Sequence, residues 1–353
     1  MTRYTFITTA HCLLILTLAL TAALVDEPPL PLCRNDDHVV GEWIEYTNTS
    51  APRKSFHCCQ YDENDYLHNT TACFNPSWNA ALAFRDTVLV TGFDSYPTYV
   101  GEHGCNCDKF EGRDSLNARE KYFWKPKSCS LVQWNASRFC ELLGPRRILF
   151  VGDSTQAQTF ATLTNLIHAA DLGNASCNHQ ITFGRCNVLI YGLKGGKNLQ
   201  EWVKIAGKPE ILIVTAGAHL HDLGDMYSVQ DHIKTHFSQI REAYGTQNIS
   251  ILWKTQNPGH VGCTVEKQPQ KVVPNNTYGP DKWDWLLHPT FDAIARNYSF
   301  IHGYKVLDMS PVYLRPDSHS GIYWHDDCLH YCIPGALDIF AQLLLQKLVV
   351  REI

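Results

Sequence analysis

Ser154, Asp327 and His330 are the residues in this sequence whose types and spacing support nucleophilic chemistry. Ser154 stands in Val151-Gly152-Asp153-Ser154, at the end of an apolar run and the start of a helical pattern. A serine there is displayed at the carboxyl edge of a sheet, where helix N-terminal amides face any oxyanion formed beside it. Gly-Asp-Ser is also an ordinary turn and helix cap, so the tetrapeptide alone does not separate catalysis from capping. The second block, Asp327-Cys328-Leu329-His330-Tyr331-Cys332-Ile333-Pro334-Gly335, follows the last strand-like run and precedes the last helix. An aspartate three residues before a histidine can accept the imidazole Nδ1 proton and leave Nε2 to deprotonate serine. The chain has 17 histidines, so Asp-x-x-His alone is weak; its return to the sheet edge that carries Ser154 is what gives it meaning.

The elements that must position these residues follow from hydrophobic periodicity. Ile148 to Gly152 reads as a strand, and the stretch after it repeats apolar residues at helical spacing through Phe160, Leu163, Leu166 and Ile167. Four more strand-like runs follow, Asn187 to Leu193, Ile211 to Gly217, Ile249 to Thr255 and Lys305 to Met309, each alternating with a helical pattern. Such alternation marks a parallel sheet covered on both faces, with its ligand site at the carboxyl ends of the strands. Residues 33 to about 145 differ: they are rich in cysteine, aromatics and turn residues and read as a loop-rich, disulfide-stapled cap. The expected organisation is a leader over 1–25, a cysteine-rich cap region over 26–145 and a catalytic domain over 146–353.

Three strings carry a resemblance to a known family: FVGDSTQAQ, KYFWKPKSCSL at Lys121 to Leu131, and DCLHYCIPGALD. They resemble the plant trichome birefringence-like proteins and the wider PC-esterase family, relatives of the GDSL/SGNH hydrolases. LIVTAGAHL at Leu212 to Leu220 is similar to that family's asparagine-threonine-glycine-histidine strand end, and KTQNPGH at Lys254 to His260 to its arginine-threonine-x-serine-proline-x-histidine segment. Gly41-Glu42-Trp43 echoes the family's N-terminal region. The resemblance implies a three-layer α/β/α SGNH-like fold with a central, mainly parallel five-stranded sheet and a cysteine-rich N-terminal cap. It also implies a triad of Ser154, His330 and Asp327, oxyanion donors at the Ser154 and Gly217 amides, and Asp153 shaping the turn.

Two departures from the family bear on the site. Thr215 stands where the plant proteins often carry asparagine, and His219 falls one place later than their histidine when the glycines are aligned. An oxyanion hole short of one donor loses about 3 kcal/mol of transition-state stabilisation unless another group replaces it. Lys254 replaces an arginine, keeping the charge and losing the bidentate fork. His219, Lys254, His260 and Trp324 are the candidate substrate contacts. His219-Leu220-His221-Asp222 offers at most two ligands from a strand end, so no metal is expected.

Whole-chain properties set the compartment and exclude other functions. The 353 residues carry a formal net charge of -5, with no basic run, which argues against nucleic acid as a partner. Arg3 precedes an apolar stretch from Ala10 to Val25, a targeting segment for which cleavage after Ala23 and retention as a single membrane anchor are the two alternatives. Fourteen cysteines without metal-site spacing suit disulfides in an oxidising compartment. Seven Asn-x-Ser/Thr sequons, at Asn48, Asn69, Asn135, Asn174, Asn248, Asn275 and Asn297, agree with a luminal chain. The expected location is the Golgi lumen, through a type II anchor, or the secreted space.

The expected reaction is O-acyl, in particular O-acetyl, transfer to a glycan or polysaccharide hydroxyl through an acyl-serine. It needs an acyl donor, acetyl-CoA or another acetyl carrier, and no bound cofactor. Water as acceptor would make the same triad a carbohydrate O-acetyl esterase. A third reading is a secreted glycan-binding protein on the same fold without turnover.

Overall fold

The computed structural model describes residues 30–46, 121–168, 170, 177, 180–185, 208–215, 218, 226–245, 248–273, 281, 284–319 and 327–353. The leader therefore lies outside the described residues, as do the run from Asn187 to Leu193 and the helical pattern after it. Among the described residues no helix is long and apolar enough to cross a membrane.

Among the described residues, five strands form the central sheet: β3 (Ile148–Gly152), β4 (Ile181–Arg185), β5 (Ile211–Val214), β6 (Ser250–Lys254) and β7 (Lys305–Leu307). A two-stranded antiparallel sheet precedes them, β1 (Gly41–Glu45) paired with β2 (Tyr122–Pro126). In the central sheet every neighbouring pair is parallel and the order is β4-β3-β5-β6-β7. The strand beside β3 is Ile181–Arg185, just ahead of the expected run, because a short Ile-Thr-Phe-Gly-Arg stretch gives a weaker apolar signal than the run after it. The order reverses between β3 and β5, so the carboxyl ends of these two strands flank the crevice where ligands of open α/β sheets bind.

Side-chain alternation explains why the sheet needs a layer on each face. Ile148, Phe150, Ile211, Ile213 and Leu252 enter one apolar core, whereas Leu149, Val151, Leu212, Val214, Ile251 and Trp253 enter the other. The first core is closed by α1 (Ala136–Leu143), α2 (Ser154–His168) and α5 (Asp338–Val349); the second by α3 (Met226–Tyr244) and α4 (His288–His302). The two central strands, β3 and β5, are thereby removed from water on both faces, as a parallel sheet requires. Cys33, Trp124, Cys129 and Leu131 from the N-terminal region belong to the first core. Leu32–Ile353 forms one compact unit. Disulfides join Cys33 to Cys129, Cys140 to Cys177 and Cys263 to Cys328, the cross-linking of a secretory-pathway protein.

The second core also contains an ionisable group. His236 on α3 is 1% exposed and sits edge-on to Trp253, and burial pushes its imidazole down to about 3. The unfolded chain binds that proton near pH 6.5 and the native chain does not, so the contribution to stability is complete above 6.5 and is lost as pH falls toward 3. The lost contribution is on the order of 3 kcal/mol at pH 4. His236→Leu is therefore expected to narrow the fall in denaturant midpoint between pH 7 and pH 4; an unchanged pH dependence would contradict a neutral, buried imidazole.

Candidate active site

Helix α2 starts at Ser154, directly after β3, because Asp153 caps it. Asp153 Oδ1 accepts hydrogen bonds from the Thr155 amide (2.9 Å) and the Thr155 hydroxyl (2.7 Å), satisfying a first-turn donor that has no partner within the helix. Its other oxygen accepts the Ala218 amide (3.3 Å) from the segment after β5. One carboxylate thus fastens the turn before Ser154 to the far side of the sheet's switch point. Gly152 makes the turn possible: a Cβ there would stand 2.6 Å from Gln156 Cβ and 3.0 Å from Thr215 Cγ2. Gln156 then anchors the first helical turn by donating to the Ile213 carbonyl of β5 (3.0 Å).

The second part of the site is a loop closed on itself. Asp327 Oδ1 accepts the amides of Leu329 and His330 (3.1 Å each), and Oδ2 accepts the His330 Nδ1 proton (2.8 Å). The carboxylate fixes both the turn and the tautomer, so neutral His330 carries its lone pair on Nε2. His330 is 6% exposed, and Asp327 is partly open to solvent. Beside it, the Cys263–Cys328 disulfide and the bond from the His260 amide to the Cys328 carbonyl (2.9 Å) tie this loop to the segment after β6.

Gln158 joins the two parts. It lies one helical turn beyond Ser154, and its side-chain amide donates to the Tyr331 carbonyl (2.9 Å) while its carbonyl accepts the Tyr331 amide (3.1 Å). The helix that begins at Ser154 is therefore doubly bonded to the residue that follows His330. Gln158→Leu would orphan two buried backbone groups, each worth about 1–3 kcal/mol. A displaced His330 would also lower kcat by about 100-fold. Full activity in that variant, measured beside its unfolding midpoint, would show that the bridge does not set the site.

Behind the loop lies a buried polar scaffold. His319 Nδ1 donates to the His330 carbonyl (3.1 Å), and its Nε2 lies 2.6 Å from His260 Nδ1, while His260 Nε2 lies 2.9 Å from the Tyr313 carbonyl. Burial pushes His260 down to about 4 and His319 well below its ordinary value. Tyr331 donates its hydroxyl proton to the Pro258 carbonyl (2.7 Å). The next segment adds Arg315, fully buried, with its guanidinium forked onto Asp317 (2.8 and 2.9 Å) and stacked against Trp43 (4.7 Å) and Tyr122 (5.2 Å). Through Trp43 and Tyr122 the N-terminal two-stranded sheet thereby bears on the segment that holds the His330 loop.

Lys254 and His260, expected as substrate contacts, are 0% and 6% exposed and direct their polar atoms at the protein. Lys254 Nζ donates to the Thr255 carbonyl and to Asn257 Oδ1 (2.9 Å each), and Asn257 donates to the Thr155 carbonyl (2.9 Å) and Thr159 Oγ1 (3.1 Å). The lysine thus reaches α2 through Asn257. Burial pushes its amine down to about 8, opposed by the carboxylates of Asp153 and Asp292. Asp292 is itself pushed up to about 7 by burial, while accepting the Gln256 amide and the Tyr313 hydroxyl. Gly217, His219 and Trp324 lie outside the described residues, as do the side-chain contacts of Ser154. Among the described residues, no group of three or more His, Cys, Asp or Glu side chains converges as metal ligands would.

Gln158 and Asn257 lie within the strings FVGDSTQAQ and KTQNPGH but carried no assigned role, and Arg315 and His319 lie outside every string. A signal for one of them was present: Gln158 follows Ser154 at a spacing of four, the helical repeat that stacks two side chains on one face. The others lie on irregular segments, where side-chain direction does not follow from periodicity.

Residues 199–347 match the PC-Esterase model, described as a GDSL/SGNH-like acyl-esterase family found in Pmr5 and Cas1p. Xyloglucan O-acetyltransferase 4 of Populus trichocarpa is 21% identical over 348 residues, covering 78% of this chain and 80% of the relative. Protein trichome birefringence-like 38 of Arabidopsis thaliana is 21% identical over 277 residues, covering 65% and 73%. Among solved structures, an acetyl xylan esterase aligns with 16% identity and a TM-score of 0.33, over 59% of this chain and all of that one. The stretch that matches this family model includes Asp327 and His330.

Proposed function

We propose that this protein transfers an acetyl group to a glycan hydroxyl by double displacement, with Ser154 as nucleophile, His330 as base and then acid, and Asp327 as the residue that orients it. The observation that carries the reading is the Gln158 bridge, which holds the helix starting at Ser154 against the loop in which Asp327 fixes the His330 tautomer. In the first step His330 Nε2 takes the serine proton, Oγ bonds the acyl carbon, and the donor's leaving group departs with the proton returned from the imidazolium. In the second step the glycan hydroxyl gives its proton to His330, attacks the acyl-serine, and Ser154 regains the proton. The Ser154 and Gly217 amides are the assigned oxyanion donors. The Thr155 amide is not among them, because it is committed to Asp153.

Several of the relatives carry names that refer to xyloglucan O-acetylation, which favours a polysaccharide acceptor over water. The disulfides favour the secretory pathway, with the Golgi lumen as the compartment for an anchored chain. Incubating the full chain with a labelled acetyl donor, with and without xyloglucan, tests the reading. Label on the polysaccharide is expected; free acetate alone, at a rate unaffected by any glycan, would make the protein an esterase instead.

A further inference from the structure

The structure points to Asn297 as an N-glycosylation site whose glycan shields an exposed apolar pair on the outer face of α4; this rests on the luminal location proposed above. Asn297-Tyr298-Ser299 is a sequon inside a regular helix, with the Asn297 side chain exposed. The buried stripe of that helix is His288, Phe291, Asp292, Ala295 and Ser299, so Asn297 points away from the core.

Ser299 is the first independent observation. Its residue is 0% exposed and its hydroxyl has no hydrogen-bond partner among the described residues. A serine within a helix usually faces water or bonds the carbonyl one turn back, and an unpartnered buried hydroxyl destabilises the fold where alanine would serve better. The sequon supplies a reason for the hydroxyl that folding does not: an acceptor asparagine requires serine or threonine two residues on. Modification precedes burial of Ser299 when the chain is glycosylated before it folds.

Phe300 and Ile301 are the second. They are 87% and 61% exposed, and they stand three and four residues after Asn297, on the same side of the helix. Large apolar side chains side by side on a surface normally mark something that covers them. A glycan on Asn297 is attached within reach of both. Gly303 leads α4 directly into β7, so this turn lies at the amino edge of the sheet, opposite the edge where β3 ends at Ser154. A glycan there leaves the proposed active edge open.

The chemistry balances with a lipid-pyrophosphate-linked oligosaccharide as donor. The Asn297 Nδ2 bond to the sugar anomeric carbon forms, the bond from that carbon to the pyrophosphate oxygen breaks, and an amide proton leaves with the lipid pyrophosphate.

The full chain expressed through a eukaryotic secretory pathway, enzymatically deglycosylated in heavy-oxygen water and mapped by peptide mass spectrometry, reads occupancy directly. Conversion of Asn297 to labelled aspartate is expected. Label at the exposed Asn135 or Asn248 with none at Asn297 would overturn the proposal while leaving the luminal location intact, and absence of label at every sequon would overturn both. Asn297→Gln and Ser299→Ala should each lose the glycan and bind more of an apolar fluorescent dye than wild type. Adding Phe300→Ser and Ile301→Ser to Asn297→Gln should return dye binding to the wild-type level, and unchanged dye binding in Asn297→Gln would overturn the shielding role. Ser299→Ala should melt at or above the temperature of Asn297→Gln, since only it removes the buried hydroxyl; a lower melting temperature would show that Ser299 serves the fold.

Discussion

Replacing Ser154 with alanine is expected to lower kcat for acetyl transfer by about 10⁴–10⁶-fold and to leave the unfolding midpoint near wild type. Without Oγ no acyl-serine forms, and what remains is the rate that binding and the oxyanion donors support by themselves. Helix α2 should survive the change, because Asp153 rather than Ser154 accepts the Thr155 amide. His330→Ala should cost a similar factor, and the double variant should be no worse than either single one, since nucleophile and base act as one unit. Stopped-flow or endpoint assays with a labelled acetyl donor separate the outcomes. A multiplicative loss in the double variant would mean that the two residues serve different steps.

Asp327→Asn is expected to lower kcat by about 10⁴-fold with KM little changed. The asparagine side chain fits the loop and can still accept the Leu329 and His330 amides that Asp327 Oδ1 now accepts. What it loses is a second acceptor: its amide nitrogen donates toward His330 Nδ1, stabilises the opposite tautomer, and places a proton on the nitrogen that must take one from serine. The imidazolium formed in each step also loses the carboxylate 2.8 Å away. Steady-state kinetics at several pH values distinguishes this from a folding defect, and a loss under about ten-fold would mean that Asp327 only shapes the turn.

How much of this was legible in the sequence differs between residues. Alternation of apolar runs with helical patterns was enough to place β3, β5, β6 and β7; β3 and β5 are the clearest, because both are buried on both faces and therefore continuously apolar. It passed over Ile181–Arg185, which pairs with β3 on the side away from β5, while the more strongly apolar run from Asn187 to Leu193 lies outside the described residues. Asp327 and His330 were legible because a spacing of three lets one carboxylate hold both the turn and the imidazole. Lys254 illustrates the reverse. Its charge at a strand end suggested a substrate contact, yet it is enclosed by Thr255, Asn257 and the first turn of α2, and only packing decides whether a strand-end cation faces a cleft or a core. His319 and Arg315 were invisible for a related reason: their partners His330 and Trp43 lie 11 and 272 residues away in sequence, in the His330 loop and the N-terminal two-stranded sheet.

The central claim is that an acyl group resides on Ser154 between donor and acceptor. Rapid quenching of the full chain with a labelled acetyl donor in the absence of glycan, followed by peptide mapping, tests it most directly. The account predicts acetyl label on the peptide that contains Ser154, discharged when glycan is added and absent from Ser154→Ala. Label that reaches glycan at the wild-type rate in Ser154→Ala, with no acylated serine at any time point, would contradict it.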